Sequence, residues 1–283
     1  MKQVLITGVT GFVGRQVLHF LNDTNLELTI VVRSGKEKQF DKFKNIKRVI
    51  TTNDLFSESV DWWTEQCQDI DIIVHLAWYT EPLKYQKSPK NLECLIGSLN
   101  LAKGAIKAGI KKIVGVGTCF EYDLSAGTIT VDTPLKPTTP YSDAKTALYV
   151  SLSHILSNFN IEFSWCRLFY LYGEGEDPRR LVPYLHSKLQ NDEIAKLTHG
   201  NQVRDYLDVY DASKMIVDVI LSDQNGAFNI CSGIPITVRQ LAEKIADEYG
   251  KRHLLKFGAL PDNPFDPPYI LGVSNLYLQN IKR

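Results

Sequence analysis

Tyr141 and Lys145 stand four residues apart in "PTTPYSDAKTALY" (137–149), directly after Pro140 and at the expected start of a helix. Positions i and i+4 share one helical face, about 5–6 Å apart at Cβ. One reading of such a pair is an exposed surface contact. The other is chemical: a neighbouring ammonium lowers a phenol's pKa, so that it exchanges a proton near neutrality. The pair alone leaves both readings open.

A second constellation lies at the N-terminus. "LITGVTGFVG" sets Gly8, Gly11 and Gly14 at three-residue spacing between an apolar strand pattern and a periodic helix. Glycine permits the tight turn, lets backbone approach a pyrophosphate and lets helix pack close to strand. The following helix start offers N–H groups and partial positive charge to phosphates. A dinucleotide is the expected ligand. At the end of the second strand, where NAD-selective sites carry Asp or Glu, the chain has "VVRSGK". Arg33, with Ser34 and Lys36, suits a 2′-phosphate, so NADP(H) is favoured and NAD(H) stays open.

With these residues and Thr118, the chain resembles the extended short-chain dehydrogenases/reductases, and within them the NAD-dependent epimerase/dehydratase branch acting on nucleotide sugars. The matching motifs are T-G-x-x-G-F-x-G at 7–14, Asp54-Leu55, H-L-A at 75–77, Y-x-x-x-K at 141–145, "RLFYLYG" at 167–173 and "VRDYLDVYDA" at 203–212. The resemblance implies that Gly8, Thr10, Gly11, Phe12, Val13 and Gly14 cradle the dinucleotide. Asp54 and Leu55 would hold the adenine, and Leu76, Ala77 and Trp78 would line the path. Lys145 would bind the nicotinamide ribose and lower the pKa of Tyr141, while Thr118 would bind the substrate oxygen. Arg204 would contact a nucleotide-sugar diphosphate. Tyr79, Thr80, Tyr170 and Arg180 complete the implied substrate side, with Trp78 facing either the sugar or the nicotinamide.

Departures from the family pattern narrow the reaction. Dehydratases of this branch place Asp-Glu after the Thr, and this chain has Cys119 and Phe120. The Cys and His of fucose-type epimerase-reductases are replaced by Phe120 and Arg180, and Cys119 reads as a packed core thiol. The Asn usual in R-x-F-N is Tyr170, the Asn usual in the long helix is Cys94, and no second phosphate-binding Arg stands near "PDNPFDPP". Simple carbonyl reduction remains. The expected reaction is hydride delivery from NADPH to C4 of a 4-keto-6-deoxy nucleotide sugar, with the proton from Tyr141. A 4-epimerase using the same Thr118, Tyr141 and Lys145 is the alternative, and a non-catalytic NADP(H) sensor is a more distant one.

These residues need a scaffold, and strand and helix patterns alternate through the first 165 residues. Strands are expected at 3–7, 28–32, 47–52, 70–77, 111–117 and 161–169, with helices around 12–22, 89–109 and from Tyr141. That alternation predicts an α/β fold, a Rossmann-type doubly wound parallel sheet with a smaller C-terminal α/β substrate-binding lobe. The dinucleotide-binding part is expected at 1–166 with 205–228 returning to it; 167–204 and 229–283 form the lobe.

The totals exclude several classes. In 283 residues, 32 basic and 32 acidic side chains cancel, which argues against broad attraction to nucleic acid or anionic membrane. Cys67, Cys94, Cys119, Cys166 and Cys231 form no C-x-x-C and read as reduced thiols. "MKQVLITG" enters a strand at once, no apolar run reaches membrane-spanning length, and a cytoplasmic protein is expected. No metal site is expected. The resemblance implies a homodimer through the long helix and the Tyr141 helix.

Overall fold

The computed structural model describes residues 1–263 and 266–276. The strands run β1 (Gln3–Thr7), β2 (Glu27–Arg33), β3 (Ile46–Thr52), β4 (Ile72–His75), β5 (Lys112–Thr118), β6 (Thr128–Ile129) and β7 (Glu162–Leu168). They continue with β8 (Tyr170–Tyr172), β9 (Ala195–Lys196), β10 (Val203–Asp208), β11 (Gly226–Ile230), β12 (Pro235–Thr237), β13 (Leu255–Lys256) and β14 (Leu271–Gly272). The α-helices are α1 (Phe12–Asn22), α2 (Val60–Gln66), α3 (Lys90–Ala108), α4 (Pro140–Ile155), α5 (Leu181–Gln190), α6 (Val209–Leu221) and α7 (Val238–Tyr249).

A seven-stranded sheet in the order β11-β7-β5-β4-β1-β2-β3 is parallel throughout. Both faces are covered, as parallel strands require. Side chains alternate across β1: Val4 and Ile6 join one core with Val17, Leu21 and Ile216, and Leu5 joins the other with Trp63, Leu101 and Leu148. One face therefore carries α1 and α6, the other α2, α3 and α4. Strand order reverses between β1 and β4, and the crevice beyond their C-terminal ends is where open α/β sheets bind ligands.

The chain leaves the large sheet after β7 and comes back with α6 and β11. Because β10 pairs with β8 and β12 in a separate three-stranded sheet, the returning segment is Val209–Ile230, where the sequence pattern placed 205–228. The return is anchored by Lys112, which is 4% exposed. Its ammonium donates to the carbonyls of Val219 (3.0 Å) and Ser222 at the C-terminal end of α6, where a cation suits the helix dipole. The remaining residues pack α5 and α7 around Leu185, Leu189, Ala242 and Ile245. The stretch 277–283, also expected in that lobe, lies outside the described residues. All five cysteines are buried and free. Among the described residues no helix is long and apolar enough to cross a membrane, and no group of three His, Cys, Asp or Glu could hold a metal ion.

Candidate active site

Gly8 closes the turn after β1 with φ +79°, a region that favours glycine. A Cβ on it would sit 2.6 Å from the amide nitrogen of Ala77, and one on Gly14 only 2.1 Å from the Gly8 carbonyl oxygen. Neither contact tolerates a side chain. Gly11 precedes α1 with no side-chain cap, so among the described residues no side chain caps the first N–H groups of that helix. Thr10 and Val13 are half-buried around it, and Phe12 opens the helix. This cradle fits a dinucleotide pyrophosphate.

The β4 side of the crevice is fixed by a buried hydroxyl–imidazole chain. Ala77 N–H donates to Thr7 Oγ1, Thr7 Oγ1 lies 2.8 Å from His75 Nδ1, and His75 Nε2 lies 2.8 Å from Ser98 Oγ. Ser98 in turn donates to the Cys94 carbonyl at 2.7 Å. Satisfying every group puts the ring proton on Nε2 and leaves His75 neutral. Burial, then the Lys145 charge, pushes His75 down to about 3. Leu76 and Ala77 are thus held against β1, with Leu76 N–H on the Thr7 carbonyl.

At the far end of the crevice, Arg33 and Ser34 are exposed, and the Arg33 guanidinium makes no ion pair or hydrogen bond among the described residues. The nearby Glu37 carboxylate is turned back onto Gly35 N–H at 3.0 Å. Asp54 accepts from Phe56 N–H (3.0 Å) and Ser57 Oγ (3.2 Å), capping a single turn that contains Leu55.

Helix α4 starts with a capping box: Thr139 Oγ1 accepts from Ser142 N–H, Ser142 Oγ accepts from Thr139 N–H, and Pro140 occupies the first turn. This start places Tyr141 (8% exposed) and Lys145 (3%) beside Thr118 (5%), the last residue of β5. Lys145 Nζ donates to the Val116 carbonyl at 2.7 Å and lies 3.8 Å from the centre of the Trp78 ring. Burial pushes Lys145 down to about 7, against the pull of Glu121. Tyr141 differs from expectation. Burial raises its phenol, Tyr85 and Glu121 add to the rise, and a hydrogen bond with Thr118 opposes it. The Lys145 ammonium points to the Val116 carbonyl and the Trp78 ring.

Behind Thr118 lies a network that sequence reasoning missed. Glu121, fully buried, accepts from Thr118 N–H (2.8 Å), from Trp165 Nε1 (3.1 Å to each oxygen) and from Arg167 Nε (2.7 Å). Arg167 also donates to Tyr122 Oη, which donates to Asn229 Oδ1, tying β5, β7 and β11 together. A Cβ on Gly115 would meet the Trp165 ring at 2.4 Å, and one on Gly117 would meet Glu121 Oε1 at 2.2 Å. Those glycines make the slot. Cys119, 1% exposed and pushed up to about 12 by burial, packs with Tyr122, Phe169 and Ile270.

The residues expected on the substrate side are aromatic and basic. Tyr85, also missed, meets the Tyr141 ring edge-on at 4.8 Å, and Arg180 lies 5.3 Å from the Tyr85 ring. Tyr170 contacts Phe120 and Tyr206, and Arg204 lies 5.3 Å from its ring. Arg204 is 2% exposed and paired with Asp266 at 2.6 Å, so in this arrangement it faces a carboxylate of the chain itself. Its strand is clamped by Asp205, which accepts from the N–H groups of Ser232, Gly233 and Gly272. Tyr79 donates to Glu81, and Thr80 is exposed.

A dinucleotide cradle at the switch point of a doubly wound sheet, with a Tyr-x-x-x-Lys helix beside it, defines the class. Residues 4–231 match the NAD dependent epimerase/dehydratase family. The chain belongs to this family of extended short-chain dehydrogenases/reductases that act on nucleotide sugars, and it is an NAD(P)-dependent oxidoreductase of that class. It is similar to the dTDP-6-deoxy-L-talose 4-dehydrogenase (NAD(+)) of Aggregatibacter actinomycetemcomitans, 25% identical over 95% of this chain and 98% of the relative. Its fold matches UDP-N-acetylglucosamine 4-epimerase from Methanobrevibacter ruminantium (TM-score 0.83, 22% identity, 97% of this chain and 90% of that one). It also matches the NAD-bound dTDP-glucose 4,6-dehydratase of Streptomyces venezuelae (TM-score 0.81, 19% identity, 96% and 88%).

Proposed function

We propose that this protein reduces the 4-ketone of a 4-keto-6-deoxy nucleotide sugar with NADPH. One observation carries the reading: next to Thr118, where a dehydratase needs an acid and a base, the chain offers a buried thiol, Cys119, and an apolar ring, Phe120. The following carboxylate, Glu121, is sealed in an ion pair with Arg167. Tyr141 and Thr118 are then left to serve a single carbon. The 6-deoxysugar 4-dehydrogenase similar to this chain supports the reading, since removal of hydrogen at C4 run backwards is reduction of a 4-ketone.

A bound reduced nicotinamide dinucleotide supplies the hydride. Thr118 Oγ1 donates a hydrogen bond to the carbonyl oxygen, and Tyr141 Oη, beside it, gives its proton as that oxygen gains alkoxide character. A high phenol pKa keeps Tyr141 protonated and ready as the acid. Lys145, when cationic, stabilises the phenolate left behind. Arg204 exchanges Asp266 for the substrate diphosphate, and Arg180, Tyr79, Thr80 and Tyr170 border the sugar. Arg33 and Ser34 take the 2′-phosphate, which supports NADPH over NADH although the relative's own name specifies NAD(+). Leu92 and Ile96 on α3 and Val150 and Ile155 on α4 are exposed apolar residues that support a homodimer, to be checked by light scattering.

The test is incubation with NADPH or NADH and a panel of 4-keto-6-deoxy nucleotide sugars. Stoichiometric NADPH oxidation with a new alcohol at C4 is the expected result. Isomerised sugar with no net consumption of cofactor would replace the reductase with a 4-epimerase.

A further inference from the structure

Trp78 is anchored on two sides. Its Nε1 donates to Asn91 Oδ1 at 2.9 Å, and its ring carries the Lys145 ammonium at 3.8 Å. Asn91, 1% exposed in the first turn of α3, uses its amide fully, with Nδ2 donating to the carbonyls of Tyr85 (2.6 Å) and Ser88 (2.9 Å). Tyr85 is the ring that meets Tyr141 edge-on. One buried asparagine therefore bonds both the ring under Lys145 and the backbone of the residue whose ring meets Tyr141.

We infer that Trp78, held by Asn91, is a positioning residue that keeps the Lys145 side chain cationic and in place, while Asn91 through Tyr85 seats the Tyr141 ring. This rests on the reading of Tyr141 and Lys145 as the reacting pair. A buried ammonium has lost its hydration, and a π-face within about 6 Å restores part of that stabilisation, more so where water is excluded. The other groups facing Lys145 do less. Glu121, in the turn after β5, favours the charge but is already bonded to Arg167. Cys94 on α3 is a neutral thiol pushed up to about 11, and His75 on β4 is neutral. Trp165 on β7 lies 5.7 Å away, and Tyr141 is one turn back on α4. An aromatic face holds a cation without neutralising it, as a carboxylate would. The charge stays available to the phenol.

The proposal is tested by NMR titration of protein carrying 13Cε-labelled lysine, with Lys145→Arg identifying the signal. In the parent, Lys145 should titrate well below ordinary lysines. In Trp78→Leu the titration should move down by about one pH unit; in Trp78→Phe, which keeps a π-face, it should stay within about 0.3 units. Asn91→Ala, which loosens the ring without removing it, should shift it in the same direction and decides the matter if Trp78→Leu does not fold. Turnover of Trp78→Leu should fall about tenfold near pH 8 and change little near pH 5.5, a pH signature that a merely structural defect lacks. An unmoved titration in folded Trp78→Leu, or an equal shift in Trp78→Phe, would overturn the inference. The titration needs no turnover, so failure of the parent to oxidise NADPH would sink the reductase reading alone.

Discussion

Replacing Glu121 by Gln removes one charge from a pair that is closed to water on both sides, Glu121 being 0% and Arg167 1% exposed, while keeping the side chain's size. At an effective dielectric of about 20, opposite charges about 4 Å apart attract by about 4 kcal/mol. The Gln oxygen can still accept from Thr118 N–H or Trp165 Nε1, but its amide N–H groups then confront the Arg167 donors. Breaking a buried pair from one side typically costs about 3–5 kcal/mol, because the surviving charge stays desolvated. For a chain of this size each kcal/mol lowers Tm by roughly 2–4 °C, so Glu121→Gln should melt roughly 6–20 °C below the parent. The assay is a reversible denaturant melt read by far-UV and near-UV dichroism. Adding Arg167→Met to Glu121→Gln should cost less than about 1 kcal/mol more, since the stranded charge leaves with it. A single variant within about 1 kcal/mol of the parent would refute the reasoning and show that water or a shifted Arg167 relieves the charge.

Four further outcomes follow from the same geometry. Tyr141→Phe should lower kcat by about 10²–10⁴ and leave dinucleotide affinity within about threefold, checked by steady-state rates and fluorescence titration. Arg33→Asp should weaken NADPH relative to NADH by on the order of tenfold to a hundredfold, read from the two KM values; an unchanged ratio removes the 2′-phosphate assignment. Asp266→Ala should lower KM for the nucleotide sugar about fivefold by freeing Arg204, whereas a raised KM would mean that Asp266 orients it. His75 makes stability fall with acid. Folded His75 takes a proton only at about 3 whereas the unfolded chain does so at 6.5, so from 6.5 down to about 3 the unfolded state binds the extra proton and gains. His75→Gln should flatten the dependence of unfolding free energy on pH in that window by up to one proton, measured by urea melts.

The frame was legible because strand and helix periods differ and the central strands β1, β4 and β5 are buried throughout or nearly so, whereas the edge strand β3 is mostly exposed. The glycine spacing, the cap before Tyr141 and the strand-end Arg33 are local patterns, and the fold brings Thr118, Tyr141 and Lys145 to one wall. Long-range pairings were not legible. Asn91 meets Trp78 across 13 positions, Glu121 meets Arg167 across 46, and Asp266 reaches Arg204 from a Pro-rich loop. One signal was present in β5, whose "GVG" sets glycines at alternate positions. The register places Gly115 opposite Trp165 and Gly117 opposite Arg167, so the smallest residues face two of the largest. Only the strand order turns that alternation into a slot. The contacts of Lys145 were not legible for the same reason: i,i+4 spacing brings two side chains near, but Trp78 and the Val116 carbonyl, both distant in sequence, decide where the ammonium points.

Epimerase and dehydratase structures both match this fold, so the fold cannot discriminate among reactions. Discrimination falls to what can take or give a proton beside Thr118. A dehydratase must remove a proton at one carbon and protonate a leaving hydroxyl at another, which demands two more titrating groups in reach. Position 119 is a thiol pushed up to about 12 among apolar neighbours, and position 120 is a phenyl ring against Tyr170. Glu121 points into the β5–β7 wall, and moving it would strand Arg167. Restoring elimination would therefore need more than one substitution: Cys119→Asp alone would bury a carboxyl beside Asp205 and Glu121, whose charges already disfavour a thiolate there. The expected outcome for Cys119→Asp is a destabilised protein with no dehydration product by mass spectrometry. Dehydration by that single variant would show that the wall is more plastic than its buried ion pair implies.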